Sequence, residues 1–443
     1  MPWSTVDPAD TQKELVTNRC KHDAPRTLGV GTVWGDEFMN MKNQEHSGPQ
    51  EGHDLAATIA GSRRVRKAAG AIVALLLFSW AQAASAQGYN VTNLVSDIPG
   101  VAQFTDPNLI NPWGMASSPT SPLWVSDNRT GLSTLYNGLG QAQALVVTVP
   151  PPAGGNPPSS PTGQVFNAGT GFGSDRFIFA TEDGTISGWQ SADGSAAQLR
   201  VDNSSTAIYK GLAIGNNGSG DHLYAANFNT GGVDVFDSAY NPASLSGAFI
   251  DPTLPAGYAP FNVQNLGGSL YVTYALQDPT HHDDVGGPGH GYVDIFDLNG
   301  NFLQRAISGG DLNSPWGLAS APGSFGDFSN ALLVGNFGDG RINAYDSATF
   351  GFLGTLSDGL ANPIAIDGLW GLKFGNGGSG GPTNSLYFTA GIPGDGSVED
   401  HGLFGKVAPV PEPASVALLA LGLGGIAAMS GRRRYARAKS RRC

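Results

Sequence analysis

The segment Gln277 to Gly291 contains His281-His282-Asp283-Asp284 and, a little further on, His290. Imidazole nitrogens and carboxylate oxygens this close together could hold a divalent cation. Oxygen ligands suit calcium, and a His pair with Asp suits zinc or another transition metal. The spacing matches no EF-hand loop, no His-Glu-x-x-His helix and no nonapeptide calcium repeat. Gly286-Gly287-Pro288-Gly289 flanks the histidines and gives the segment freedom to bend. A solvated loop tip accounts for the same residues without any ion.

A second group of polar residues recurs just before and just after short apolar runs. Asn111, Asn262, Asn313 and Asp367 lead into such runs, and Asp127, Asn128, Asn227 and Asn336 follow others. Their amides and carboxylates could bind hydroxyl-rich ligands or a metal. They are also the residue types that hairpin ends require. Which role applies depends on the elements that carry them.

Those elements are strands. Ser314 to Leu356 reads as four short strands, with Gly338-Asp339-Gly340 as a tight connection between the second and third. Four antiparallel strands in about 45 residues match one blade of a β-propeller. The unit recurs. Pro112-Trp113-Gly114-Met115 with Leu123 to Asn128 repeats it, as do the runs beginning at Phe177, Leu223 and Leu270 and the last one, from Leu369 to Val407. Six copies predict an all-β, six-bladed propeller over 87–409. A single β-sandwich is the competing architecture, because it too shows short strands at regular spacing. Tyr89 to Val95 alternates as a strand and can complete the last blade, so that both ends of the body meet in one sheet.

Strands of a blade alternate in direction. The lead-in to strand one and the loop joining strands two and three therefore open on one face. All eight Asn and Asp positions, and the His-rich insertion of the fourth blade, are expected on that rim around the channel mouth. The recurring aromatics (Trp113, Trp124, Trp316, Trp370, Tyr224, Tyr271 and Tyr387) lie within strands and read as packing rather than as sugar platforms. Only Glu182 and Glu399 supply glutamate in the body, which leaves few candidates for glycosidase chemistry. A Ser-His-Asp triad stays open, since such groups meet only in the fold.

The 443 residues include 64 Gly and 29 Pro, and charged residues make up 14%, a composition that fits turn-rich β structure. The formal net charge of −12 divides unevenly. The body is strongly acidic and the stretch after 410 is basic, so nucleic acid is excluded as a partner of the body. The two cysteines, Cys20 and Cys443, flank the body, which excludes a disulfide or a Cys-based zinc site inside it.

Residues 1–62 are polar and aperiodic and read as a disordered or mis-started extension. Residues 63–86 combine Arg63-Arg64-Val65-Arg66-Lys67, an apolar run and Ala84-Ser85-Ala86. That order predicts a secretory signal peptide cleaved after Ala86. In 410–443, Pro411-Glu412-Pro413 precedes an apolar run from Val416 to Met429 and then Arg432, Arg433 and Arg434. The apolar run reads as a short single transmembrane helix, with the arginines held on the cytoplasmic side.

This tail resembles the PEP-CTERM sorting signal of Gram-negative bacteria. The resemblance implies recognition by an exosortase, a transient inner-membrane anchor, and then release or display in the envelope or extracellular matrix, commonly with exopolysaccharide. The body resembles a family of exported bacterial proteins bearing this tail and, through its Trp-Gly-Leu-Ala inner strand, NHL-type six-bladed propellers. Together these imply a non-enzymatic binding protein for polysaccharide or another envelope ligand. The alternative is a metal-dependent hydrolase of the lactonase or esterase kind. Propellers of the gluconolactonase type use a channel glutamate as metal ligand, and no lead-in strand here supplies one.

Overall fold

The computed structural model describes residues 88–410. The extension 1–62, the signal peptide 63–86 with Ala84 and Ala86, and the sorting residues Pro411, Glu412, Pro413, Arg432, Arg433 and Arg434 lie outside the described residues. Among the described residues no helix is long and apolar enough to cross a membrane.

Six sheets follow one another along the chain. The first blade is Pro112–Ala116, Leu123–Asp127, Leu132–Tyr136 and Val147–Thr148. The second is Pro161–Phe166, Phe177–Thr181, Thr185–Trp189 and Gln198–Asp202. The third has three strands, Tyr209–Asn216, Asp221–Asn227 and Gly232–Asp237. The fourth is Tyr258–Leu266, Ser269–Leu276, Tyr292–Phe296 and Phe302–Ser308, and the fifth is Pro315–Ser320, Leu332–Asn336, Ile342–Tyr345 and Phe352–Thr355. Inner strands of successive blades touch in a closed circuit, with the sixth against the first. A sandwich has no such circuit, so the propeller is the architecture.

The blades are not all four-stranded. The sixth takes Leu369–Phe374, Leu386–Ala390 and Leu403–Pro409, then adds Tyr89–Ser96 antiparallel to Leu403–Pro409 and the short Phe104–Thr105 outside it in parallel. The first strand of the body thus closes the last sheet, as its alternation predicts.

Every inner strand carries a bulge near the rim, where its register against the second strand shifts. The bulge coincides with a recurring pair: Trp113-Gly114, Thr162-Gly163, Lys210-Gly211, Trp316-Gly317 and Trp370-Gly371. A bulge re-aims one side chain out of the strand alternation. The glycine is required because the next blade's backbone lies against it. A Cβ on Gly114, Gly317 or Gly371 would sit 2.5, 2.6 or 2.6 Å from the carbonyl oxygen of Thr162, Trp370 or Trp113. In the fourth blade Asn262 takes the glycine's place, and its Nδ2 donates to the Trp316 carbonyl over 2.7 Å.

The bulged aromatics meet on the axis. Trp113 and Trp370 stack at 3.5 Å, Phe337 stacks on Trp370 at 4.0 Å, and Trp316 stands edge-on to Trp113 at 6.0 Å. With Phe228 and Phe261 they form a buried plug across the channel. Trp124, Tyr224 and Tyr387 are buried between blades.

Candidate functional site

Above the aromatic plug a polar network runs round the rim. It starts at Asn111, which turns the chain into the first inner strand at φ 48. Its Oδ1 accepts from Trp370 Nε1 at 3.2 Å, and its Nδ2 donates to Asn128 Oδ1 at 3.3 Å and to Glu399 Oε1 at 3.0 Å. Asn128 passes the network on, its Nδ2 donating to Glu182 Oε2 at 2.8 Å. Glu182 Oε1 takes the Lys210 ammonium. Lys210 Nζ lies 3.4 Å from Asp283 Oδ1, and Asp283 Oδ1 lies 2.8 Å from His282 Nδ1. Six side chains from the first four blades, and two from the sixth, are thereby linked.

Each element places its residue for a local reason. Glu182 follows Phe177–Thr181 at the tight turn Thr181-Glu182-Asp183-Gly184, a strand two-to-three loop. Glu399 stands in the corresponding loop of the sixth blade, at φ 75, where its N–H donates to the Gly391 carbonyl at 2.8 Å. Lys210 occupies the bulge position that Trp113, Trp316 and Trp370 fill in other blades. It is therefore thrust onto the axis rather than into its own sheet. Its side chain is 2% exposed, and its ammonium lies 5.2 Å from the Trp113 ring and 5.9 Å from that of Phe228.

The charges set one another. Burial works against the Lys210 ammonium, but the Glu182 carboxylate, with Asp283 behind it, more than restores it, so its pKa lies above the ordinary lysine value. Burial, with the Glu182 charge added, pushes Glu399 up to about 7. The hydrogen bond from His282 and the charge of Lys210 hold Asp283 down at about 2, against partial burial. The same hydrogen bond raises His282. Burial pushes Asp284 up, opposed by Lys210. The rim thus holds a neutral-poised acid, a fixed ammonium and an outward-facing carboxylate–imidazole pair.

Of the sequence candidates, the structure brings Asn111, Asn128, His282 and Asp283 into this network. The others serve elsewhere. Asp127 is fully buried in its blade, where Oδ2 accepts from Thr134 N at 3.1 Å, and it does not open on the rim. Asn227 donates to Asp234 Oδ2 at 3.0 Å, and Asn336 donates to the Asp311 carbonyl at 2.8 Å. Asn313 accepts from Gly287 N at 2.6 Å and anchors the fourth-blade insertion. Asn262 bridges two blades, as described, and Asp367 is exposed away from the network. His281 faces the Asn229 carbonyl at 3.3 Å and His290 the Val285 carbonyl at 2.9 Å, so neither joins a ligand set with His282.

Among the described residues the group with metal-ligand geometry is Glu182, His282 and Asp283, whose ligand atoms lie within 4.8 Å of one another. Lys210 Nζ already sits on both carboxylates. An ammonium there supplies the positive charge a metal would bring and repels a second cation. The set therefore fits a divalent ion only with Lys210 withdrawn.

Glu182, Glu399 and Lys210 are the members the sequence candidates lack. A signal existed for each: the two glutamates stand in the same class of loop as Asn128, and Lys210 stands in the tryptophan register, ahead of the glycine that recurs from blade to blade.

Comparison with known proteins adds three findings. Residues 409–434 match the PEP-CTERM protein-sorting motif, which implies export and exosortase-mediated sorting. Two proteins of Acanthamoeba polyphaga mimivirus align with the body. "Uncharacterized protein R648" is 36% identical over 301 residues, covering 64% of this chain and 73% of its own length. "Uncharacterized protein L690" is 34% identical over 301 residues, covering 64% and 78%. Among solved structures, virginiamycin B lyase from Staphylococcus aureus superposes with a TM-score of 0.44 at 13% identity, over 73% of this chain and 100% of that one.

Proposed function

The chain belongs to the family of the mimivirus proteins R648 and L690 and carries a PEP-CTERM tail, and from these premises and the rim geometry we propose that it is an exported envelope or matrix propeller that binds a hydroxyl-rich ligand, a polysaccharide, at the channel mouth. The observation that carries this reading is the continuous network from Glu399 through Asn111, Asn128, Glu182 and Lys210 to Asp283. Alternating donors and acceptors, fixed in place and backed by aromatic rings, are the chemistry that pairs with vicinal hydroxyls. Asp283 and His282 are the exposed end of the network and would make the first contact.

The test is binding of the purified body to a panel of exopolysaccharides and their oligosaccharides. Asp283→Ala changes an exposed side chain and should weaken binding by about tenfold while leaving the fold intact. Equal binding by wild type and variant, or no saccharide bound, would sink the reading.

A hydrolase is the second reading, favoured by Glu399. A carboxyl held near 7 beside another carboxylate is matched to general acid–base work at neutral pH. A lactone and ester panel distinguishes the two. A rate limb at about pH 7 that disappears in Glu399→Gln would favour hydrolysis over simple binding.

A further inference from the structure

Below the aromatic plug the six inner strands enclose a second space, a cavity of about 460 Å³ with Trp316 on its wall. Its walls include Met115, Gln164, Ile214, Asn265 and Lys373. Lys373 stands three residues beyond Trp370 on the sixth inner strand, roughly 10 Å further along the channel at the usual strand rise. This space is therefore separate from the rim network, with Trp113, Trp316 and Trp370 between them.

Two polar groups in this cavity lack partners. No aspartate or glutamate lines it, so Lys373 is its one charged side chain. Among the described residues Lys373 makes no ion pair, and burial alone, unrelieved by any carboxylate, holds its pKa below the ordinary lysine value. Lys210, by contrast, is buried against Glu182. The second group is Gln164, 6% exposed. Its Nε2 is spent on the Gly114 and Trp124 carbonyls at 2.8 and 3.0 Å, which fixes the amide, and its Oε1 has no donor. A half-buried cation with no counter-charge and an orphaned acceptor in the wall of the same space both favour a partner that the chain itself does not supply.

We infer that the lower channel is a binding pocket for a monoanionic, hydroxyl-bearing small molecule of sugar-acid size, whose carboxylate pairs with Lys373 and whose hydroxyls meet the polar wall at Ser117 and Gln264. The volume suits such a ligand, since small-molecule sites run from about 300 to 1,000 Å³. The apolar walls contributed by Met115 and Ile214 face its carbon skeleton. A neutral hexose would leave Lys373 unpaired, so charge should decide selectivity.

The experiment is calorimetric titration of the purified body with glucuronate and, separately, with glucose. Glucuronate should bind saturably and glucose should not. Lys373→Met should weaken glucuronate binding by about tenfold or more, and Lys373→Arg should retain most of it. In parallel, glucuronate should protect Lys373 of the wild-type protein from reductive methylation, read by peptide mass spectrometry, which needs no variant to fold. No saturable glucuronate binding, equal binding of glucose, full affinity in a folded Lys373→Met, or unprotected Lys373 would each overturn the proposal. Asp283→Ala on the rim should leave this binding unchanged, so failure here and failure of the rim reading are separate outcomes.

Discussion

Glu399 titrates near neutrality because burial disfavours its charge and the Glu182 carboxylate adds to that. Unfolded, the group titrates near the ordinary glutamate value of 4.5; folded, it titrates at about 7. Between those values the folded chain holds a proton that the unfolded chain has released, so stability falls as pH rises through the window. Asp294, lifted to about 7 chiefly by burial, acts with the same sign. Glu399→Gln should therefore reduce, without abolishing, the loss of melting temperature between pH 5 and pH 8. An undiminished loss would mean that Glu399 titrates normally. Lys210 makes a complementary prediction. Lys210→Met strands Glu182 beside Asp283, and breaking a buried pair in this way costs about 3–5 kcal/mol. Calcium or zinc should then recover part of the lost melting temperature in Lys210→Met and leave the wild type unmoved. A stoichiometric metal found in the wild-type protein by elemental analysis would refute the view that the ammonium takes the metal's place. At this scale the sequence was legible only in part. Asn111 and Asn128 were visible as loop residues, but so were Asn227 and Asn336, which cap their own blades. An asparagine that closes a turn and one that faces a ligand have the same type and the same spacing, and only the direction of the side chain separates them.

The inner strand is the element that builds both the rim and the lower channel. Its bulge turns one side chain toward the axis, and the following glycine lets the next blade's backbone lie against it. The repeat could be read because this requirement recurs with each turn of the chain: Trp-Gly in three blades, Thr-Gly and Lys-Gly in two more. Only the fourth blade departs, using Asn262 as a bridge to Trp316. The strand count per blade was less legible, because outer strands such as Val147–Thr148 are short and carry little pattern. Gly317→Ala would place a Cβ 2.6 Å from the Trp370 carbonyl oxygen. The backbone of two blades must then part, at a cost of about 1–3 kcal/mol. Gly220→Ala meets nothing within 4 Å and serves as the control. Chemical denaturation of both variants should show a lowered midpoint for the first and little change for the second. Equal midpoints would show that the glycine contact is loose.

For the molecule as a whole, the fastening is the pairing of Tyr89–Ser96 with Leu403–Pro409. It is reinforced at Tyr89, whose hydroxyl donates to the Phe325 carbonyl at 2.8 Å and accepts from Phe328 N at 3.1 Å. Removing residues 88–105 would bare the outer edge of the sixth blade and leave that anchor empty. An uncovered strand edge pairs with other chains. Size-exclusion chromatography of the truncated body should show aggregation or loss of the monomer peak, while a well-behaved monomer would show that the ring closes without its first strand.

That pairing also sets an order in time. The Val410 N–H donates to the Gly88 carbonyl at 2.9 Å, so the two ends of the body meet at the very start of the sorting motif at 409–434. In a chain delivered across a membrane from its amino end, Tyr89–Ser96 arrives first and must wait, unpaired, for a strand that arrives more than 300 residues later. Five blades can assemble meanwhile, but the sixth cannot. The ring can shut only as the tail itself comes into reach, which makes completion of the fold and readiness for sorting a single event.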